Sequence, residues 1–322
     1  MRTPTSLLGR GLAGLLLLAA AGCARSPADG DAGAVAASDE RLRNAIGSYV
    51  EGYNLLGESV NALLARYAAS VPAAGAADPA KVRLEPAHVE LGARLKSARE
   101  EFEVGKRDGG EALAGLAPLA DRLRATARKV MKTYAEAEHY YSSGGFKADA
   151  GAGAAKYHEE MRARGADFRQ ALSDLAVALD GVEDRQAQAE IEALAAAKGP
   201  AYWFRRANQA AKRMLGAVRA LPDARPFEAE RAALQSLAGE LDAFAASHAQ
   251  ALPGAFTAYR EALTRTLASA GRLGAAVQPG DGGAPPAEAA WAQAKQALFD
   301  DYNALIQAGN ALYDLEEQGP PR

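Results

Sequence analysis

Apolar residues recur along most of this chain at alternating steps of four and three, which is the spacing of one face of an α-helix. The pattern is clearest over residues 39–70, where no step is missed. Its apolar positions are Leu42, Ile46, Tyr49, Tyr53, Leu56, Val60, Leu63 and Tyr67. Such a seam is typical of helical bundles and coiled coils. The spacing therefore predicts a long helix that buries one face against its neighbours.

Similar spacing predicts further helices, and no stretch alternates with the period of two that is expected of a strand. The remaining predicted helical segments are 86–104, which Gly105 ends; 111–141; 155–185; 191–221, with a break at Gly199-Pro200; 226–271, with a break or kink at Pro253-Gly254; and 287–318. Residues rich in Gly and Pro separate them, most densely at 142–154 and 278–286. The sequence thus predicts an all-α fold, an elongated or compact bundle of about six to seven helices.

The N-terminus has a different pattern. Arg2 and Arg10 precede an apolar run over residues 11–21, which ends in small residues just before Cys23. A basic start, a short apolar stretch and small residues at its end are typical of a signal peptide. A transmembrane helix needs about 20 apolar residues, so this run is too short to be one. We therefore expect residues 1–22 to be a signal peptide.

Cys23 is the single cysteine of the chain. The run Ala20-Ala21-Gly22-Cys23 resembles the bacterial lipobox, which implies that the thiol takes a diacylglycerol and that the membrane is a partner through this N-terminal lipid. A lipobox cysteine carries several acyl chains, and stable attachment needs more than one. Residue 24 is Ala, not Asp, and the sorting rule of enteric bacteria then implies the outer membrane, facing the periplasm. The alternative is an ordinary signal peptide followed by an unmodified cysteine.

Composition limits the rest of the chain. Residues 23–38 are rich in Ala, Gly and Asp without apolar periodicity, which predicts a flexible tether, and residues 39–322 are expected to form a single helical domain. Removal of residues 1–22 would take away two arginines and no acid, so that the net charge moves from −3 to −5. A nucleic-acid partner needs a basic face, and this balance argues against one.

No catalytic or cofactor motif is found. None of the four histidines is followed at the fourth position by a second one with a glutamate between, so the helical zinc motif is missing. The sequence thus predicts no metal site and no cofactor. The most suggestive polar cluster flanks residues 142–154 and consists of His139, Tyr141, Asp149 and His158. It is either a binding site or a polar surface at two helix ends.

A Tyr-Asn step occurs in both the first and the last helical segment, as Tyr53-Asn54 and as Tyr302-Asn303. A buried Asn in a bundle fixes the register of its helices through side-chain hydrogen bonds. We predict that the two steps pack near one another, either in this structural role or as the walls of a shared binding pocket.

Several short runs resemble the YiiG family of bacterial lipoproteins, whose function is unknown. These runs are 49–56 (Tyr-Val-Glu-Gly-Tyr-Asn-Leu-Leu), 140–141 with 146–149 and 156–158, and 302–305 (Tyr-Asn-Ala-Leu). Ala148 stands where members often have the first Asp of an acidic pair. The resemblance implies a helical envelope lipoprotein, and it implies no reaction.

Three functions are compatible with the sequence. The first is a non-enzymatic helical module that binds an envelope protein, and the second is a periplasmic lipoprotein that binds a small ligand or a metal. The third is a hydrolase with paired carboxylates, but Glu159 and Glu160 are adjacent and point apart on a helix. The sequence favours the first function and leaves enzymatic activity undecided, with no catalytic residue assigned.

Overall fold

The computed structural model describes residues 30–71, 79–221, 223–248, 252, 254–277 and 288–317. These residues are almost entirely helical and contain no strand, which confirms the all-α fold. The α-helices are α1 (Gly30–Ser70), α2 (His88–Gly109), α3 (Leu116–Ser142), α4 (Ala152–Leu194), α5 (Pro200–Ala217), α6 (Ala224–Ser247), α7 (Gly254–Val277) and α8 (Glu288–Glu317). None of these helices, over the residues described, is both long and apolar enough to cross a membrane.

Helix α1 begins at Gly30, before the predicted start at residue 39. The flexible tether that the sequence predicted over residues 23–38 is therefore helical from residue 30 onward. Its alanines account for the difference, because Ala has the highest helix propensity and needs no apolar partner to continue a helix. Residues 23–29, with the predicted lipid attachment at Cys23, lie outside the described residues.

Several helix boundaries also differ from the predicted ones. Gly105 was predicted to interrupt the second helix, but α2 continues to Gly109. The break or kink predicted at Pro253-Gly254 is a full break: the segment over 226–271 is two helices, α6, which ends at Ser247, and α7, which begins at Gly254. Pro253 explains this break, because proline has no N–H for an intrahelical bond and its ring clashes with the preceding turn.

The described chain divides into two compact units, Met1–Val182 and Glu183–Arg322. The sequence predicted one domain over 39–322. The division falls inside helix α4, close to the interruption that the sequence predicted between residues 185 and 191, through which the helix in fact continues. Each unit buries its own apolar residues, and the first is built from α1, α2, α3 and most of α4.

In the first unit, α1 and α2 pack closely because glycines lie at their contact. A Cβ at Gly105 would be 2.7 Å from Cδ2 of the Tyr49 ring and 3.0 Å from the carbonyl oxygen of Ala45. A Cβ at Gly52 would be 2.6 Å from the Phe102 ring. Small residues at such points let two helix backbones approach, so both rings pack against bare backbone.

In the second unit, a buried polar contact joins α7 to α8. Ser269 is fully buried, and its hydroxyl donates to the carboxylate of Asp301, while Arg272 donates to the Ser269 oxygen at 2.6 Å. The hydroxyl of Thr266, also fully buried, donates to the backbone carbonyl of Asp301 at 3.1 Å. These bonds satisfy polar groups that would otherwise be costly to bury, and they fix the register of the two helices.

The packing of α1 on α2 predicts opposite effects for two glycine substitutions on one helix. Gly105→Ala places a methyl group against Tyr49 and backbone, and we expect it to lower the free energy of unfolding by about 1–3 kcal/mol. A Cβ at Gly92 would have no other atom within 4 Å, so Gly92→Ala is the matched control. It should raise the stability by about 0.5–1 kcal/mol, since Ala favours a helix over Gly. Guanidinium denaturation followed by circular dichroism measures both, and equal effects would contradict this packing.

Candidate functional site

The segment predicted to carry a binding site, between α3 and α4, is a tight turn. Gly144 and Gly151 have φ angles of +73° and +87°, which glycine adopts without the steric cost of a side chain. Between them lies a 3-10 turn, Gly145–Lys147, and the Gly151 N–H donates to the carbonyl of Phe146 at 3.0 Å. The chain turns back here, so the start of α4 lies beside the end of α3.

The Asp149 carboxylate closes this turn. One oxygen, Oδ1, accepts hydrogen bonds from the Tyr140 hydroxyl and the Gly151 N–H, both at 2.9 Å. The other, Oδ2, accepts from the Gly153 N–H at 2.8 Å, at the start of α4. Desolvation by itself would raise the pKa of Asp149, but the bonds from Gly153, Tyr140 and Gly151 outweigh it, and the pKa is lowered. The group is held as a carboxylate that caps the N-terminus of α4.

The Tyr140 ring packs against two glycines of this turn, Gly145 and Gly153. A Cβ at Gly145 or Gly153 would lie 2.9 Å or 2.6 Å from this ring, so neither position has room for a side chain. The rings of Tyr141 and Tyr157 each lie 5.3 Å from it. Desolvation, together with the bond to Asp149, raises the pKa of Tyr140 to about 12. A protonated phenol bound to an ionised carboxylate makes a stable contact near neutral pH.

A second aromatic cluster lies deeper in the first unit. The Tyr67 ring of α1 stacks on His158 of α4, with centroids 6.2 Å apart and an interplanar angle of 24°. It also meets the Tyr134 ring of α3 edge-on at 6.4 Å. The Tyr134 hydroxyl donates to the backbone carbonyl of Glu85 at 2.8 Å. Three helices thus each place one ring at this point.

Two polar atoms of this cluster are buried without a hydrogen-bond partner among the described residues: the Tyr67 hydroxyl and Nδ1 of His158. Burial raises the pKa of Tyr67, and the nearby Tyr141 raises it further. Buried polar groups are nearly always paired, and an unpaired one costs about 1–3 kcal/mol. A polar group that reached either atom would remove this cost.

The structure shows the separate contacts of the four predicted residues at this turn, and a site shared by them stays a prediction. His139 is exposed, Asp149 binds Tyr140 and the backbone, and within the described residues no hydrogen bond joins any two of the four. Tyr141, which is buried, and His158 instead share Tyr67 as a neighbour. Tyr67 was predicted only as a seam position. A hydroxyl-bearing ring on an apolar seam was the one signal that could have indicated it.

Comparison with known proteins identifies the family of this chain. The sequence matches, over residues 40–310, a family described as a protein of unknown function, DUF3829. The chain belongs to the DUF3829 family. No curated protein and no solved structure matches the chain. The matched residues include both aromatic clusters, and the more specific resemblance to the YiiG family stays a prediction.

The two Tyr-Asn steps of this DUF3829 protein belong to different units. In the first unit, Tyr53 is half-buried against the core, and Oδ1 of Asn54 is buried without a hydrogen-bond partner among the described residues. In the second unit, Tyr302 is buried and Asn303 is exposed. An exposed Asn303 has water to satisfy its amide and needs no buried partner. The predicted contact between the two steps stays a prediction.

Tyr302 instead lies near Tyr259, a buried tyrosine that was not among the predicted site residues. Tyr259 is fully buried, and its hydroxyl lies 2.7 Å from Oδ1 of Asn208 and 3.1 Å from the carbonyl oxygen of Phe204. Burial raises its pKa well above the usual value, and Tyr302 adds to the effect. This hydroxyl is satisfied within the second unit, unlike that of Tyr67. The DUF3829 chain has no group of three or more His, Cys, Asp or Glu residues, among those described, that could hold a metal.

The lowered pKa of Asp149 predicts a pH-dependent contribution to stability. A carboxylate with a depressed folded pKa stabilises the fold above its unfolded pKa, near 3.8, and loses this contribution as the pH falls through the folded value. Asp149→Asn should therefore be less stable than the wild type at about pH 7, and the difference should shrink below about pH 3.8. Urea denaturation midpoints across the pH range measure this.

The matched control for this experiment is Asp167→Asn, also on the first half of α4. Asp167 is exposed, and its contact with Arg164 is 3.8 Å long. Its substitution should change the midpoint little at either pH, because exposed ion pairs contribute about 0–1 kcal/mol. An Asp149→Asn effect that is the same in acid as at neutral pH would mean that the carboxylate does not close the turn.

Proposed function

We propose that this DUF3829 chain is a cell-envelope lipoprotein, attached to the outer membrane through acyl chains on Cys23 and facing the periplasm. The observation that carries the proposal is the position of this cysteine. It is the single Cys of the chain, and it stands directly after a basic start, a short apolar run and Ala20-Ala21-Gly22. Several acyl chains on one residue suffice for stable anchoring.

For the helical part, we infer a non-enzymatic role as an interaction module that binds an envelope protein. The polar residues at the α3–α4 turn support this role, because their chemistry is used to hold the fold. The Asp149 carboxylate has three donors within 2.9 Å, and the Tyr140 phenol is one of them. A general acid or base must exchange its proton near the working pH, and this pair is tuned away from it.

A second candidate function rests on the Tyr67 cluster. The unpaired Tyr67 hydroxyl and the unpaired Nδ1 of His158 are buried, and they lie on stacked rings. A small polar ligand that bonded to both would remove their desolvation cost. This observation favours a lipoprotein that binds a small molecule, and Asp149 would then order the start of the helix that carries His158.

Anchoring through Cys23 predicts a specific loss on substitution. Cells given an alkyne fatty acid should label the wild-type protein, and Cys23→Ser should abolish the label and release the protein from the membrane fraction. Ala24→Asp is the matched control: it should keep the label but, by the enteric sorting rule, leave the protein in the inner membrane. Labelled Cys23→Ser protein would show that the anchor lies elsewhere.

The interaction role is tested in the same cells by lysine crosslinking, followed by mass spectrometry of the affinity-purified protein. We expect an adduct with an envelope protein that disappears in Cys23→Ser cells, because the anchor holds the helical units near their partner. Recovery of the same adducts from an unrelated lipoprotein of equal abundance would contradict a specific module.

The small-ligand candidate predicts how much stability is lost when Tyr134 or Tyr67 is replaced by Phe, in protein purified from its own membranes. Tyr134→Phe removes a bond to Glu85 and should cost about 0.5–1.5 kcal/mol of stability. With a ligand bound to its hydroxyl, Tyr67→Phe should cost about as much. Without one, removing an unpaired buried hydroxyl should leave the stability unchanged or raise it. Thermal unfolding of both variants distinguishes the two cases.

A further inference from the structure

One end of the first unit is formed by two segments that touch, residues 79–84 and residues 142–156. A Cβ at Gly151 would be 3.6 Å from Cγ of Pro79, which places the two segments in contact. The first segment is fixed to the unit, because Val82 is buried and the Tyr134 hydroxyl donates to the Glu85 carbonyl at 2.8 Å. We name these two segments the tip.

The tip is basic. It carries four cations and one anion: Lys81, Arg83, Lys147, Lys156 and Asp149. All four basic side chains are exposed, whereas the Asp149 carboxylate is occupied by its three hydrogen bonds within the turn. The acidic residues closest in sequence, Glu85, Glu138 and Glu159, lie on the segments that lead into the tip. The sign of the tip is therefore opposite to that of the whole chain, whose formal net charge is −3.

Backbone contacts bring two of the lysines close together. Lys147 follows Phe146, whose carbonyl oxygen accepts a hydrogen bond from the Gly151 N–H at 3.0 Å. Gly151 in turn touches Pro79, which stands two residues before Lys81. The tip thus gathers cations from segments that are distant in sequence.

The other two cations differ in what they contact. Lys156 lies near the start of α4, and its Nζ is 5.9 Å from the centroid of the Tyr157 ring. Nη1 of Arg83 donates to the carbonyl oxygens of Ala80 and Val82 at 2.8 and 2.9 Å, so this arginine helps to hold its own segment. Replacement of Arg83 would disturb the segment, and we therefore assign binding to the three lysines.

The tip lies at the end of the first unit that is opposite to the start of α1. Tyr67, near the end of α1, meets the rings of Tyr134 and His158, which belong to the two helices joined at the tip. From Gly30 to Tyr67, α1 rises about 55 Å along its axis. With a lipid on Cys23, α1 therefore separates the tip from the point of membrane attachment.

The chemistry of the tip suits an extended anionic partner. A lysine ammonium is a point charge on a flexible stem, which attracts carboxylates without requiring one fixed geometry. Several lysines near one anionic surface add their attractions. The other residues of the turn are mostly Ala, Gly and Ser, which leave the charges open to a broad surface. In the periplasm, peptidoglycan is such a surface, because its peptide stems carry free carboxylates.

We propose that the tip binds the carboxylates of peptidoglycan through Lys81, Lys147 and Lys156. This inference rests on the proposed attachment of Cys23 to the outer membrane, which makes peptidoglycan the layer that the tip faces. The first unit then joins the outer membrane to the cell wall, with α1 as the connecting element. The tip is distinct from the buried Tyr67 cluster and needs no ligand there.

The test is co-sedimentation of purified peptidoglycan sacculi with residues 23–322 carrying Cys23→Ser. This protein has no lipid, so the result does not depend on the anchor, which fatty-acid labelling in cells decides separately. We expect the protein to sediment with the sacculi at about 50 mM NaCl and to be released at about 500 mM, because salt screens exposed charges. Protein that stays in the supernatant at the lower salt concentration would overturn the proposal.

Substitutions locate the binding surface. The combined variant Lys81→Gln, Lys147→Gln and Lys156→Gln should lower the binding constant about tenfold or more, since each lysine near an anionic surface adds to the attraction. All three side chains are exposed, so the circular dichroism spectrum should match that of the unsubstituted protein. Undiminished binding by this folded variant would contradict the proposal.

A matched variant has the same net charge. It replaces three exposed lysines of α2 and α3 that lie outside the tip, Lys96→Gln, Lys106→Gln and Lys129→Gln. It should sediment with the sacculi like the unsubstituted protein. An equal loss of binding in both triple variants would show only a general effect of charge, and the proposal would then fail.

Two further arms identify the partner. Sacculi whose carboxylates have been converted to neutral amides with ethanolamine and a carbodiimide should bind much less protein, and equal binding would exclude the carboxylates as the ligand. Vesicles of anionic phospholipid at the same salt concentration should bind less than the sacculi do. Equal sedimentation with the vesicles would mean that the tip binds any anionic surface, which also overturns the choice of peptidoglycan.

Discussion

The close approach of α1 and α2 depends on the missing side chain at Gly105, and much of the first unit follows from it. The Tyr49 ring and the Ala45 carbonyl occupy the space where a Cβ would be, and Phe102 occupies the corresponding space over Gly52. This contact sets the register of the two helices. The C-terminal part of α1 then carries Tyr67 to the rings of α3 and α4.

At the α3–α4 turn, Asp149 and Tyr140 hold the two helix ends together. With four glycines they form one connected arrangement, in which the carboxylate accepts three hydrogen bonds and the ring covers bare backbone. The pKa of Tyr140 is raised and that of Asp149 is lowered, and both shifts favour the bond between a protonated phenol and an ionised carboxylate. The bonds of Asp149 fix the start of α4, the helix that carries His158.

The distribution of satisfied and unsatisfied polar groups distinguishes the regions of the molecule. Tyr134 and Tyr259 are buried with acceptors in place, and Ser269 and Thr266 join α7 to α8 through complete hydrogen bonds. The Tyr67 hydroxyl and Nδ1 of the half-buried His158 are, by contrast, buried atoms without a hydrogen-bond partner among the described residues. Since folding normally pairs such groups, this point of the first unit is where an added polar contact would stabilise the protein most.

The sequence by itself determined that the chain is helical, because the spacing of apolar residues along a helix is a local property that needs no knowledge of partners. It also indicated the α3–α4 turn, since Gly and Asp have local conformational preferences. It did not show that α2 continues through Gly105, because that glycine serves a contact with a residue more than fifty positions away. Nor did it show that α4 continues through residues 186–190, where the apolar seam is interrupted.

The site depended still more on tertiary structure. Tyr141 and His158 were indicated by sequence, but their common neighbour Tyr67 comes from the first helix, where it reads as an ordinary seam position. Periodicity fixes which face of a helix is buried. Which faces meet, and which polar atoms then lack a partner, depends on contacts between distant residues, and only the folded chain decides them.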